Sequence, residues 1–178
     1  MGEPAGRPVQ VAVDAIADRP ERTFTYLLPS ALGEVDPGSL LLVPYGRREA
    51  LGYLVPGEPA PDGDLGGLKQ VEAVVSGPML TPDLLALAEE IAVYYRAPIG
   101  TTLAAMLPPG LESRIERRWA LAADELPAEL SGLRDAVADD GLVADAAVLR
   151  RAPRRGVDAW LARHRRSGAL RATWSLRP

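Results

Sequence analysis

Apolar and polar residues alternate at period two through VQVAVDAI (Val9 to Ile16), which predicts a half-buried β-strand. The pleat of RTFTYLL sends Phe24, Tyr26 and Leu28 to one face and Thr23, Thr25 and Leu27 to the other, and Pro29 closes the run. Beyond the turn Asp36-Pro37-Gly38, SLLLVPY (Ser39 to Tyr45) is an apolar run of the buried-strand kind. Gly46 ends it, the basic pair Arg47-Arg48 follows, and LGYLV (Leu51 to Val55) pairs back as a hairpin. The stretch from Pro56 to Gly67 is an exposed loop by composition, and LKQVEAVVS, with Lys69 near its start, supplies a fifth strand. Five short strands joined by tight turns predict a small β-barrel of OB or SH3-like type.

The period changes at Thr81. Threonine as N-cap, Pro82 at the first helical position and Asp83 in the first turn predict a helix start. Leu84, Leu85, Ala88, Ile91, Ala92 and Tyr95 then recur at helical spacing, and a shorter helix follows from Gly100 to Leu107. These two helices are expected to cap one mouth of the barrel. Pro108-Pro109-Gly110 marks a domain boundary, giving domains 1–110 and 111–178. In the second domain a short strand at Trp119 to Ala122 precedes three helical stretches. The first, PAELSGLRDAVADDG, places Leu130, Leu133 and Val137 on one face; the others span about Asp145 to Arg151 and Arg154 to Ser167. A closing strand, ALRATWSLRP, is placed to pair with Trp119–Ala122. Strand, three helices and strand predict a winged helix with the third helix in the recognition position, so the fold class is α+β in two domains.

Composition narrows the chemistry. Of 178 residues, 47% are apolar and 25% charged, the balance of a folded globular chain. There is no cysteine and one histidine, His164, so neither disulfides nor a thiolate metal site can form; no metal or cofactor is expected. His164 reads as a packing residue. No run of 18 apolar residues appears, and the N-terminus lacks the order of a secretory signal, so a cytoplasmic location is expected. Charge is unevenly spread: residues 1–110 carry seven basic and fourteen acidic side chains, residues 111–178 thirteen and ten. Between 147 and 177 nine arginines face one acid, Asp158. Arg155, Arg163 and Arg166 fall on the helical face opposite Val157, where they either contact phosphates or merely solubilise the helix. Arginine is used nineteen times and lysine once, which singles out Lys69.

The succession RTFTYL, a DPG turn, LLVPYGRRE–LGYLV, LKQV and TPDLLALAEEIAVYYRAPIGTTLAAMLPPGL resembles the N-terminal region of the PriA replication restart family, over about residues 9 to 111. The resemblance implies a 3′-DNA-binding domain that holds the 3′ end of a nascent strand at an abandoned fork. Its pocket falls on Phe24, Thr25, Tyr26, Gly46 and Lys69, with Arg47 and the three arginines above as backbone contacts. The family pattern has aspartate where Thr25 stands, and threonine brings no charge. On strand pattern alone Phe24 is a core residue or a base-stacking platform, and Gly46 a turn glycine or a point of close backbone approach. The family continues into an ATP-dependent helicase motor with cysteine zinc sites. Here no GxxxxGK[ST] loop and no cysteine occur, so no catalytic residue and no enzyme activity is expected. The expected partner is forked or branched DNA in the nucleoid, with single-strand-binding protein and other primosome proteins as further candidates, and no membrane or small-molecule substrate. A protein-interaction adaptor is the rival reading, and an autonomous winged-helix regulator a third.

Overall fold

The structure, a computed structural model, describes residues 6–14, 23–46, 48–57, 67–122 and 126–177. The chain divides into two compact units, Met1–Ser113 and Arg114–Pro178. The architecture is α+β, with a five-stranded antiparallel sheet in the first unit and a three-stranded sheet in the second.

In the first unit the strands are β1 (Gly6–Val13), β2 (Phe24–Pro29), β3 (Ser39–Tyr45), β4 (Arg48–Val55) and β5 (Ala73–Pro78), in the order β2-β1-β4-β3-β5. The expected fifth strand is split. Lys69 to Val71 run beside β2, with Leu27 N–H donating to the Lys69 carbonyl and Val71 N–H to the Leu27 carbonyl, both at 2.9 Å. Glu72 N–H then bonds to the Leu42 carbonyl and the chain passes onto β3 as β5. One continuous segment thus bonds to both edges of the sheet and closes it into a small OB-like barrel, leaving neither edge open at this point.

The interior follows the pleat. Val9, Val11 and Val13 of β1, Tyr26 and Leu28 of β2, Leu41 and Val43 of β3, and Leu54 of β4 form one buried cluster, with Val71 from the closing segment. Helices α1 (Pro82–Tyr95) and α2 (Ile99–Ala105) follow the barrel, and α2 packs on β1 and β4. Gly100 makes that approach possible, because a methyl there would overlap the carbonyl oxygen of Val13. Thr81 caps α1 as expected, its side chain accepting from Leu84 N–H. The buried face of α1 is narrower than its apolar pattern: Leu85, Ala88 and Ala92 are covered, whereas Leu84 and Tyr95, expected inside, are exposed.

The second unit contains β6 (Ile115–Leu121), β7 (Leu142–Ala144), α3 (Asp145–Leu149), α4 (Val157–Arg166) and β8 (Leu170–Leu176), in a sheet ordered β7-β6-β8. β6 and β8 pair through Trp119↔Ala172, joining the first and last elements of the unit. The stretch expected as its first helix is only a 3-10 turn, Ser131–Ala136, with Leu130 and Leu133 buried but Val137 exposed. Strand β7 was not expected from the sequence. Its three residues are too few for alternation to register. The core gathers Trp119, Leu130, Leu133, Val143, Val148, Trp160, Leu161 and Leu170.

Candidate nucleic-acid interface

The residues singled out in the first unit collect around β2 but on two faces of it. Phe24 and Tyr26 point into the barrel. Tyr26 is 3% exposed, and its hydroxyl donates to the Pro44 carbonyl at 3.1 Å. Burial, with Tyr45 adding to it, raises the Tyr26 phenol above its ordinary value, which keeps it a neutral donor. Phe24 sits edge-on to Tyr45 with ring centroids 5.6 Å apart, half-buried at the end of β3. These rings therefore brace the end of β3; Tyr26 is closed to a stacked base, whereas Phe24 and Tyr45 keep part of their surface exposed.

Gly46 comes next, at the β3–β4 turn, with φ 63° and open space where a side chain would begin. Its conformation favours glycine, and its surroundings leave the backbone accessible. The rings and this turn are one neighbourhood, at one end of the barrel. Arg47 lies outside the described residues.

Thr25 is on the opposite, outer face. It lies across from Gln10 in the β1–β2 register, and Gln10 Nε2 donates to Thr25 Oγ1 at 3.0 Å. Lys69 approaches from the other flank of β2, since its carbonyl holds Leu27 N–H, which sets the two backbones about 4.8 Å apart. Lys69 is exposed. The bridge between Leu27 and Gln70 puts Gln70 on the Thr25 face, so Lys69, with the parity of Val71, lies on the Tyr26 side of β2. Gln10 is the residue that pattern reading missed: its role is visible only once the strand register is known.

In the second unit the arginines separate into two groups. Arg117 makes a two-pronged bond to Asp145 (2.8 and 3.2 Å) and lies over the rings of Trp119 and Trp174. Arg118 pairs with Asp140, and Arg114 grips the Arg177 carbonyl. Arg163, expected to face DNA, is paired instead with Glu129 at 2.6 Å. The same carboxylate accepts from Trp160 Nε1 at 3.2 Å and meets His164 Nε2 at 3.0 Å. The Trp160 bond, then the charges of Arg163 and His164, hold the Glu129 carboxyl below the usual carboxylate range. Buried His164, edge-on to Trp160, is a packing residue as expected. Arg155 lies in the bend before α4 and not on the helix, and Arg166 is in its last turn. Among the described residues Arg154, Arg155 and Arg166 are exposed and make no side-chain hydrogen bond or ion pair.

The family model for the 3′DNA-binding domain (3′BD) of PriA matches residues 10–108, which run from within β1 through α2 and include every candidate of the first unit. The replication restart protein PriA of Synechocystis is 32% identical over 112 residues, covering 61% of this chain and 13% of that protein. PriA of Bacillus subtilis is 29% identical over 127 residues, covering 70% of this chain and 16% of its own length. The chain thus spans under a fifth of the curated relatives it matches.

Proposed function

The chain belongs to the PriA 3′-DNA-binding domain family, and from that premise we propose that it is a DNA-binding module of replication restart, gripping the 3′ end of a nascent strand at a branched fork. The observation that carries this reading is the barrel closure. Two backbone hydrogen bonds bring the one lysine of the chain alongside β2, on the side of Tyr26 and of the ring pair Phe24–Tyr45. An exposed ammonium there suits a phosphate oxygen of a strand end. Gly46, at a bare turn, offers a second place where a backbone can come close.

The second unit is read as a winged helix. Its support is the pair α3–α4 set before β8 in a three-stranded sheet, with β6, from the start of the unit, as the central strand. Arg150, Arg154, Arg155, Arg166 and Arg171, exposed and without a side-chain partner among the described residues, are available to phosphates of a duplex arm, while Arg163 is shared with Glu129. Domains 1–110 and 111–178 would then divide the fork into strand end and duplex. The nucleoid is the matching location.

Fluorescence anisotropy with labelled DNA tests the reading. A fork with a 3′ end at its junction is expected to bind more tightly than blunt duplex, with affinity falling as salt rises. Lys69→Ala is expected to weaken the fork about tenfold, the scale of one charged contact. Equal binding of fork and blunt duplex rejects the proposal. A second reading, an adaptor for single-strand-binding protein or another primosome protein, is favoured by one feature: Leu84, Leu87, Tyr94 and Tyr95 leave an apolar stripe on α1 uncovered. Under that reading Lys69→Ala leaves fork binding unchanged.

A further inference from the structure

Helix α1 keeps one side bare. Leu85, Ala88 and Ala92 are buried, while Leu87 is exposed and Val93, Tyr94 and Tyr95 are 76, 80 and 72% exposed. Asp83, Leu87, Glu90 and Tyr94 recur a turn apart along the ridge opposite the buried face, with Glu89 and Val93 beside it. Tyr94 and Tyr95 meet edge to face with ring centroids 4.8 Å apart, so the two rings project together. A shallow hollow of about 410 Å³ is lined by Glu89, Glu90, Val93 and Tyr94. Among the described residues Asp83, Glu89 and Glu90 make no ion pair or side-chain hydrogen bond, and all three are exposed.

The charges decide what can cover this face. A polynucleotide would bring phosphates against these carboxylates, on a stretch of chain (residues 1–110) that holds fourteen acidic side chains against seven basic ones. An acidic peptide is repelled in the same way. A second copy fares no better: Glu89 and Glu90 sit at the middle of the helix, so two α1 helices packed antiparallel about a two-fold axis would set the same carboxylates against each other. What remains is a segment with both apolar and cationic side chains, and a helix laid lengthwise matches the spacing of the ridge.

We propose that the outer face of α1 is a docking surface for a cationic amphipathic helix of a partner protein, with the hollow taking one arginine or lysine. The aliphatic stem of that side chain lies on Val93 and the Tyr94 ring, and its head meets the carboxylates of Glu89 and Glu90. Leu84 and Leu87 receive the partner's apolar side chains. Docking here uses none of the residues assigned to DNA, so it goes beyond the fork reading and does not depend on it. It gives the adaptor reading a surface and a partner chemistry.

The test is anisotropy on the full chain with three labelled helical peptides of equal length. One presents leucine and arginine on a single face, one has glutamate at every arginine position, and one has glutamine at every leucine position. The leucine–arginine peptide is expected to bind about tenfold more tightly than either of the others. Glu89→Gln with Glu90→Gln is expected to weaken it about tenfold, and Val93→Gln with Tyr94→Gln about as much, while fork affinity changes less than about twofold under both. These side chains face solvent and glutamine is a good helix former, so the variants are expected to fold, which circular dichroism checks. Failure of the leucine–arginine peptide to bind, or equal binding of the peptide without leucine, overturns the proposal. Sedimentation that shows self-association lost in the Val93→Gln, Tyr94→Gln chain overturns it in favour of a second copy, and fork affinity lost in that chain overturns it in favour of DNA. Equal binding of fork and blunt duplex, with the peptide preference intact, rejects the fork reading alone.

Discussion

The two units are held together by different means. The first is a barrel whose sheet closes on itself by main-chain bonds around aliphatic side chains. The second is a smaller sheet and helices cross-tied by charged groups: Arg117–Asp145, Arg118–Asp140, and Glu129 with Arg163, His164 and Trp160. A small domain buries little apolar surface, and polar ties at its rim compensate. The cost falls on function. An arginine that staples β6 or α4 is not available to a phosphate, so the density of arginine in the second unit overstates its basic surface.

The contrast is sharpened by four changes. Leu41→Ala in the barrel, at a position with no exposure, is expected to cost about 2–5 kcal/mol. Urea unfolding followed by tyrosine absorbance would measure it, and the loss should not depend on salt. Asp145→Ala in the second unit removes the acceptor of Trp119 Nε1–H, 2.7 Å away on a ring 1% exposed, along with the partner of Arg117. Stranding that N–H is expected to cost about 1–3 kcal/mol, read from tryptophan emission during denaturation. A loss in the tyrosine signal of equal size would break the separation of the two units. Arg96→Gly relieves the left-handed turn that ends α1, at φ 53°, and is expected to stabilise the first unit by about 1 kcal/mol. The smallest effect is that of acid. Because the folded Glu129 carboxyl lies below its ordinary value of 4.5, its contribution is present above that pH and is lost as pH falls through the folded value. Glu129→Gln is expected to flatten this acid limb of the tryptophan-monitored stability profile.

The same contrast explains what could be read in advance. Backbone pattern organises the first unit, and the alternation of RTFTYLL already put Thr25 on the face away from Phe24 and Tyr26, as found. Turn chemistry at Asp36-Pro37-Gly38 and the Thr81-Pro82 helix start are equally local, and both stand where expected. Register is not local. The Gln10–Thr25 pair and the passage of residues 69–78 from β2 to β3 depend on which strands meet, and no window of sequence contains that information. In the second unit helical phase placed Arg163 outward, but a carboxylate 34 residues earlier in the chain engages it. A face computed from one helix takes no account of what the neighbouring segment offers.

Closing the barrel with so few bonds beside the proposed DNA site gives the molecule a gauge. The amides of Leu27 and Val71 report directly on whether the clasp is shut. A ligand held by Lys69 would slow their exchange with deuterated solvent, while the amides of the β1–β4 ladder, across the barrel, keep their own pace. Occupancy could then be followed without a label on either molecule.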